Sequence, residues 1–432
     1  MVEHTIATYL LVGSFLVLIV LKLPITFALG VSTIATAFYL DVSILSIVQR
    51  MASGVRMFSL LAIPFFILAG EIMSKGGIAT RLIQFSNVII GRLRGGLGLV
   101  NVLASMFFGG ISGSAVADVS SIGSIMIPVM KKKGYDADYC TAITVTSACQ
   151  GIVIPPSHNV IIYSLAAGGL SVGALFLAGI VPGVLLGLVL MVLSYWLAVR
   201  RGYPAESGYT WAEAKKITRD AFFGLLTPII IIGGVISGVF TATESAAVAC
   251  IYAYLVSALI YREMSLRKLW NVLYSTLRTL AMVLSLIAMA NAFGWLLAFL
   301  RVPAQVTQGL LSISENPIIL LLLINVMLLV LGMIMDMAPL IVITTPILFP
   351  VVVNEIGMSP IQFGIVMMLN LGIGLATPPV GSGLFVGCAV GGTTIEKATK
   401  AMLPMYAAMI AVLLLVTFIP AISLTIPVWL MG

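Results

Sequence analysis

Charge is what this sequence has least of. Only 9% of its 432 residues are Asp, Glu, Lys or Arg, against roughly 25% in an ordinary soluble domain. A soluble globular protein is thereby excluded. Histidine is nearly absent, with His4 and His158 alone, and the four cysteines, Cys140, Cys149, Cys250 and Cys388, fall singly in apolar segments. There is no HExxH, no CxxC and no glycine-rich nucleotide loop, so neither a metalloprotease, a disulfide framework nor an ATP-driven pump is indicated. An intramembrane protease needs an activated nucleophile or a paired-Asp dyad, and Asp118 and Asp336 stand far apart without such a context. No enzyme constellation emerges.

What the chain has instead is apolar length. Hydrophobic residues make up 61% of it, and a hydrocarbon core of about 30 Å needs about 20 of them per helix, so the chain crosses a bilayer about ten times. The expected crossings are 5–22, 25–40, 57–74, 139–169, 173–199, 222–240, 243–261, 275–297, 360–391 and 401–420. The first run has Glu3 and His4 before it, no basic n-region and no small-residue cleavage site, and reads as a retained anchor. The formal charge of +7 orients the protein in the membrane; nucleic acid is not an expected partner. With the N-terminus outside, the inner side receives Lys22, Lys75, Arg81, Arg92, Arg94, the Lys131–Lys133 run, Arg200, Arg201, Lys397 and Lys400 among others. Arg50, Arg56 and Arg301 stay outside, as the positive-inside rule requires.

Two stretches are not simple spans. From Leu97 to Phe108 the apolar run gives about 18 Å of helix at 1.5 Å per residue before GGISGSAVADVSSIGS begins, which predicts a re-entrant hairpin over 96–134. A second one is expected over 317–352 around GMIMDMAPLIVITTP, where two tilted crossings also fit. The crossing at 139–169 is interrupted by Gly151-Ile-Val-Ile-Pro155-Pro156, and that at 360–391 by Gly374-Leu-Ala-Thr377-Pro378-Pro379. Proline removes an amide donor and breaks the turn before it. Backbone freed in hydrocarbon must be buried in protein or line a cavity, so two such breaks suggest a built site.

The breaks belong to an internal repeat. Gly134, Gly151, Pro155, Pro156, Gly168 and Gly169 precede Gly357, Gly374, Pro378, Pro379, Gly391 and Gly392 by one offset of 223 residues. An odd number of crossings between the copies inverts the second in the membrane. The expected fold is an all-α polytopic inverted repeat with two re-entrant hairpins and two broken helices. Its division is 1–74 (N-terminal scaffold), 75–199 (first repeat), 200–274 (scaffold helices and an amphipathic arm) and 275–432 (second repeat). Segments 44–56, 76–91 and 262–274, mixed in polarity, read as interfacial arms.

Polar residues at bilayer depth need a reason, and here they gather where the repeat recurs: Ser112, Ser114, Asp118, Thr144, Ser147, Ser157, His158 and Asn159 in one copy, Asp336, Asn370, Thr377 and Ser382 in the other. Oxygen-rich groups with few charges suit a hard, weakly held cation, and unwound helix ends expose carbonyls for it while half-helix N-termini favour an anionic substrate. One sodium ion is expected near Ser114, Gly151 and Pro156 and another near Gly332, Gly374 and Thr377. Asp118 either touches an ion through water, moves protons or caps a helix, and Asp336 shares that ambiguity. His158 reads as a hydrogen-bonded spacer. Glu71 and Glu244 pair or sit at an interface. Two sodium ions moving down 100 mV supply roughly 4.6 kcal/mol, enough for uphill transport without ATP.

At GGISGSAVADVSSIGSIMIPVMKKKGY, GIVIPPS and GLATPPVGSGLFVG, with IPFFILAGEIMSKGGI near the start, the chain resembles the large membrane subunit of tripartite ATP-independent periplasmic (TRAP) transporters along essentially its whole length. The resemblance implies a sodium-driven importer of organic acids in the bacterial inner membrane, working by an elevator motion, with sodium as its only metal and no organic cofactor. It implies two partners, a small four-helix membrane subunit, here a separate polypeptide, and a soluble periplasmic substrate-binding protein. It places ion binding on Ser112, Ser114, Gly151, Ile154 and Pro156 and on Gly332, Gly374 and Thr377, with substrate contacts at Ser157, Asn159, Pro379 and Ser382. Because one break reads IPPSHN and the other TPPVGS, the two ion sites need not share side-chain ligands. Within the family's substrates, which include C4-dicarboxylates and sialic acid, general likeness favours sialic acid, and the lack of an arginine in either hairpin to clamp a second carboxylate fits a monocarboxylate slightly better. A stand-alone sodium-coupled dicarboxylate or citrate carrier is the rival; an ion channel would need a continuous polar pore.

Overall fold

The computed structural model describes residues 2–206 and 208–431, and among them there are helices and connecting turns but no β-strand. In chain order the helices are α1 (Val2–Val20), α2 (Ile25–Tyr39), α3 (Ile44–Val55), α4 (Ala62–Lys75), α5 (Ile78–Ile90), α6 (Gly96–Ser112), α7 (Ala115–Lys132), α8 (Ala137–Val153), α9 (His158–Ala166) and α10 (Val172–Arg201). They continue as α11 (Trp211–Ile236), α12 (Ala242–Leu255), α13 (Leu266–Phe299), α14 (Val302–Ile313), α15 (Pro317–Ile334), α16 (Met337–Phe349), α17 (Pro360–Leu375), α18 (Ser382–Gly391), α19 (Ile395–Phe418) and α20 (Pro420–Met431). Seven helices, counting the wide turns that extend α12 and α16, are long and apolar enough to cross a membrane unaided.

The two expected hairpins are α6–α7 and α15–α16. The first turns at Gly113, whose φ of 60° suits glycine, and Ser114 caps α7 by accepting from the Ala117 N–H at 3.4 Å. The second turns at Met335 and Asp336, which caps α16 by accepting from the Met337 N–H at 2.9 Å. Both arms of the second hairpin are long enough to span. Their tip nevertheless packs on the interruption part-way along the α17–α18 crossing: Val380 and Gly381 donate to the Met333 carbonyl at 3.1 and 3.3 Å. The pair therefore turns back at partial depth, as re-entrant segments do. The broken helices are α8–α9 and α17–α18, ended at Val153 and Leu375 by the paired prolines that follow.

Where a helix is buried decides its sequence pattern. Tyr139–Val153 of α8 and Gln362–Leu375 of α17 are buried on every side, and the hairpins, α10 and α19 wrap around them. The outer helices turn Trp196, Trp270, Tyr274 and Leu277 outward, a coat suited to lipid.

Several boundaries differ from the sequence expectation, among them the start of α11, which begins at Trp211 rather than at 222. The arm read at 262–274 is not a separate element: α13 runs unbroken from Leu266 through the span for 34 residues, because no glycine or proline interrupts it before Gly294. Helices α14 and α20 lie outside the expected spans, being too short and too polar, or too close to a preceding proline, to register as crossings. The arms at 44–56 and 76–91 appear as α3 and α5, α5 leaving α4 at 67° through Gly77, whose φ is 82°. Glu244 forms a capping box with Thr241, and Glu71 pairs with Lys75 at 2.8 Å.

Candidate functional site

Each hairpin tip packs against the break of its own repeat through glycine. The Gly109 and Gly151 backbones are in direct contact, and so, one repeat later, are those of Gly332 and Gly374, where a Cβ on Gly332 would sit 3.2 Å from the Gly374 Cα. Side-chain amides reinforce the same geometry. Gln150 donates to the Val102 carbonyl at 2.6 Å, and Asn370 donates to the carbonyl of Asn325, the counterpart of Val102, at 3.0 Å.

A cavity of about 520 Å³ opens where the two tips approach the scaffold. Its walls come from hairpin 1 (Ser112, Ser114, Ser120), the start of α9 (His158, Asn159), the tip of hairpin 2 (Asp336, Met337), α4 (Glu71, Ser74, Lys75) and α13 (Thr279, Met282). The N-termini of α7 and α9 both face it, and a helix N-terminus carries partial positive charge and free N–H groups. Asn159 ties α9 to hairpin 1 by donating to the Gly113 carbonyl at 3.2 Å.

Of the residues singled out from sequence, Ser112, Ser114, Asn159 and Asp336 meet on this cavity. Ser157 is buried behind it with its hydroxyl unpartnered, beside Gly113. Gly151, Ile154 and Pro156 form the break against which hairpin 1 packs. Pro155 and Pro156 have no N–H, so the carbonyls of Gly151 and Ile152 lack the donor four residues on that a continuing helix would supply. At the second break the Gly374 carbonyl accepts from the Thr377 N–H at 2.9 Å, the Thr377 hydroxyl donates to Ile373 at 2.7 Å, and Tyr406 donates to Ala376 at 2.7 Å. Gly332 is a packing contact there. Thr377, Pro379 and Ser382 do not line the cavity, which reaches the second hairpin and its break only at Asp336, Met337, Ala338 and Leu375; Pro379 is exposed and the Ser382 hydroxyl is unpartnered.

Asp336 is a helix cap. Asp118 is not: it is fully buried with both carboxylate oxygens unbonded. His158 stands at the cavity wall against Gly113. Sequence reading missed Glu71, Ser74 and Lys75 as a cavity face, although their i, i+3, i+4 spacing on one helix was the available signal.

The family model for "Tripartite ATP-independent periplasmic transporter, DctM component" matches residues 12–422. The chain belongs to the DctM family. This DctM protein is 44% identical to the uncharacterized protein YgiK of Salmonella typhimurium, over 98% of both chains. It is 39% identical to the isethionate TRAP transporter permease DctMQ of Oleidesulfovibrio alaskensis, over 96% of this chain and 65% of that one. It is 39% identical to the sialic acid TRAP transporter large permease SiaM of Vibrio cholerae, over 89% and 90%. The fold is shared with two transporters of known structure at low identity: YdaH of Alcanivorax borkumensis (TM-score 0.64, 14% identity, 98% of both chains) and MtrF of Neisseria gonorrhoeae (0.60, 13%, 96% of both). As a DctM component it is a multi-pass permease, not an enzyme, and one part of a three-part transporter, whose other members are a small membrane subunit and a periplasmic binding protein.

Proposed function

We propose that this DctM protein imports an organic acid across the bacterial inner membrane, driven by sodium. The observation that carries the reading is the convergence of the α7 and α9 N-termini on one cavity, a setting that favours a carboxylate. Lys75 adds the one cationic side chain on that wall among the described residues. The names of the relatives, isethionate, sialic acid, C4-dicarboxylates and 2,3-diketo-L-gulonate, all denote organic anions, and sialic acid is the first candidate.

The carbonyls of Gly151 and Ile152, which lack the helical donor at Pro155 and Pro156, beside Ser112, Ser114, Ile154 and Pro156 suit one sodium ion, with Gly332, Gly374 and Thr377 around the other; Asn159 on the cavity and Ser157 behind it are the candidate substrate contacts, while Pro379 and Ser382 lie outside the cavity. At the second break the Gly374 and Ala376 carbonyls already accept hydrogen bonds, so the Thr377 hydroxyl oxygen is the ligand most exposed to test. The hairpins and broken helices, within 75–199 and 275–432, move as the transport unit against the remaining helices, an elevator motion. The partners are a separate four-helix small subunit and a periplasmic protein that delivers the substrate.

Reconstitution in liposomes tests this. Uptake of radiolabelled N-acetylneuraminate, or failing that succinate, is expected only with the small subunit, the binding protein and an inward sodium gradient together. Uptake of free substrate by the chain alone would contradict the tripartite reading, and sodium-independent uptake would contradict the coupling.

A further inference from the structure

Asp118 lies on α7 one turn beyond the tip of hairpin 1, among the cavity-lining Ala117, Ser120 and Ser121 in sequence but not itself on the cavity. It is 0% exposed, its carboxylate has the Ser105 hydroxyl near it but no group in good hydrogen-bond geometry, and among the described residues no Lys, Arg or His comes within ion-pair distance of it. Ser105 of α6 stands beside it and leads into a buried oxygen cluster. Ser147 Oγ is 3.3 Å from both Ser105 Oγ and Asn101 Oδ1, and Asn101 donates to Thr144 at 2.7 Å.

A carboxylate cannot stay bare in such surroundings. The second repeat shows that packing does not require it there. The counterpart of Ser105, 223 residues on, is Leu328, and that of Asp118, counted from the helix caps Ser114 and Asp336, is Leu340; both are buried. The Gly109–Gly151 and Gly332–Gly374 contacts keep the offset of 223 in α6 and α8, and the caps of α7 and α16 set an offset of 222 in the second arm. An apolar pair thus serves the structural purpose in one copy, while the other keeps an acid next to hydroxyl and amide oxygens.

We propose that Asp118 and Ser105 form a sodium site confined to the first repeat, behind the hairpin tip and distinct from the ions expected at the two breaks. Hard cations take carboxylate, hydroxyl and amide oxygens, and the carboxylate is the charged ligand that the mostly neutral breaks do not have. Because the site joins α7 to α6 and abuts α8 through Ser147, an ion there fastens hairpin 1 to the broken helix. The inference deepens the sodium-coupled reading and rests on it.

Equilibrium binding of radioactive sodium to the full chain in lipid nanodiscs, with choline chloride holding ionic strength constant, is the test. Asp118→Asn is expected to bind one sodium ion fewer per chain than the wild type, and Ser105→Ala to bind that ion about tenfold more weakly, as loss of a supporting ligand does. The double variant Ser105→Leu/Asp118→Leu copies the second repeat, so it is expected to fold and to lose the same ion. An unchanged sodium count in Asp118→Asn or in the double variant overturns this site and leaves the sites at the breaks standing. A wild type that binds no sodium overturns the coupled reading and this site together. An infrared band of a protonated carboxylic acid that disappears in Asp118→Asn, with sodium present, also overturns it by assigning the neutralising charge to a proton.

Discussion

Cys149 donates its thiol to the carbonyl of Gly372 at 3.1 Å, and Gly372 is the residue that occupies the place of Cys149 in the second repeat. A residue can touch its own counterpart only on the axis that relates the two copies. Helices α8 and α17 therefore cross at the pseudo-twofold axis, which explains why both are buried all round and why small residues, Cys149 and Gly372, stand at the crossing.

The glycine contacts between each tip and its break leave no room for a side chain. A Cβ on Gly374 would come 2.6 Å from the Gly332 backbone. Gly374→Ala and Gly151→Ala are each expected to lower unfolding stability by about 1–3 kcal/mol through overpacking and to displace the hairpin tip. Thermal unfolding in detergent measures the first effect and uptake the second; wild-type behaviour in both variants would mean that the tips do not pack this way.

Ser114 and Thr377 are the hydroxyl side chains proposed for the two ion sites at the breaks. Ser114→Ala and Thr377→Ala are expected to raise the sodium concentration needed for half-maximal uptake, Ser114→Ala also costing about 1 kcal/mol as a lost helix cap. Sodium activation identical to wild type in both would remove these side chains from ion binding.

Lys75, held by Glu71, is the cation on the cavity wall. Lys75→Gln is expected to raise KM for an anionic substrate by about tenfold, the equivalent of about 1.4 kcal/mol, with less effect on the maximal rate. A KM unchanged in Lys75→Gln would show that the substrate does not reach α4.

Ser74 of α4 and Ser121 of α7 share a hydrogen bond of 2.7 Å, which fastens hairpin 1 to a helix of the scaffold. In an elevator that contact must break each cycle. Cross-linking a Ser74→Cys/Ser121→Cys pair is expected to stop uptake, and a reductant to restore it; the four native cysteines are buried. Uptake that persists at full cross-linking would exclude relative motion of these two elements.

The hairpins and breaks were legible because they are punctuated locally. Gly113, the Pro155-Pro156 and Pro378-Pro379 pairs and a common offset of 223 residues act within a turn or by simple repetition. The cavity wall was less legible. Glu71, Ser74 and Lys75 are distant in sequence from both tips, and only the packing of α4 against hairpin 1 turns an ordinary i, i+4 ion pair into a lining. The unbroken course of α13 through 262–274 was hidden for the opposite reason, since charged residues at its start read as an interfacial arm although nothing there ends a helix.

By itself the sequence determined that the protein lives in lipid, that its chain folds twice in opposite orientation and that two crossings are interrupted, because hydrophobic length, charge placement and proline act along the chain. Tertiary structure decided which oxygens come together: that Ser114, Asn159 and Asp336 share a cavity while Thr377 and Ser382 stay outside it, and that Asp118 is buried without a partner. Such choices depend on how closely helices far apart in sequence approach, and close approach is set by packing across the repeat axis, where Cys149 meets Gly372.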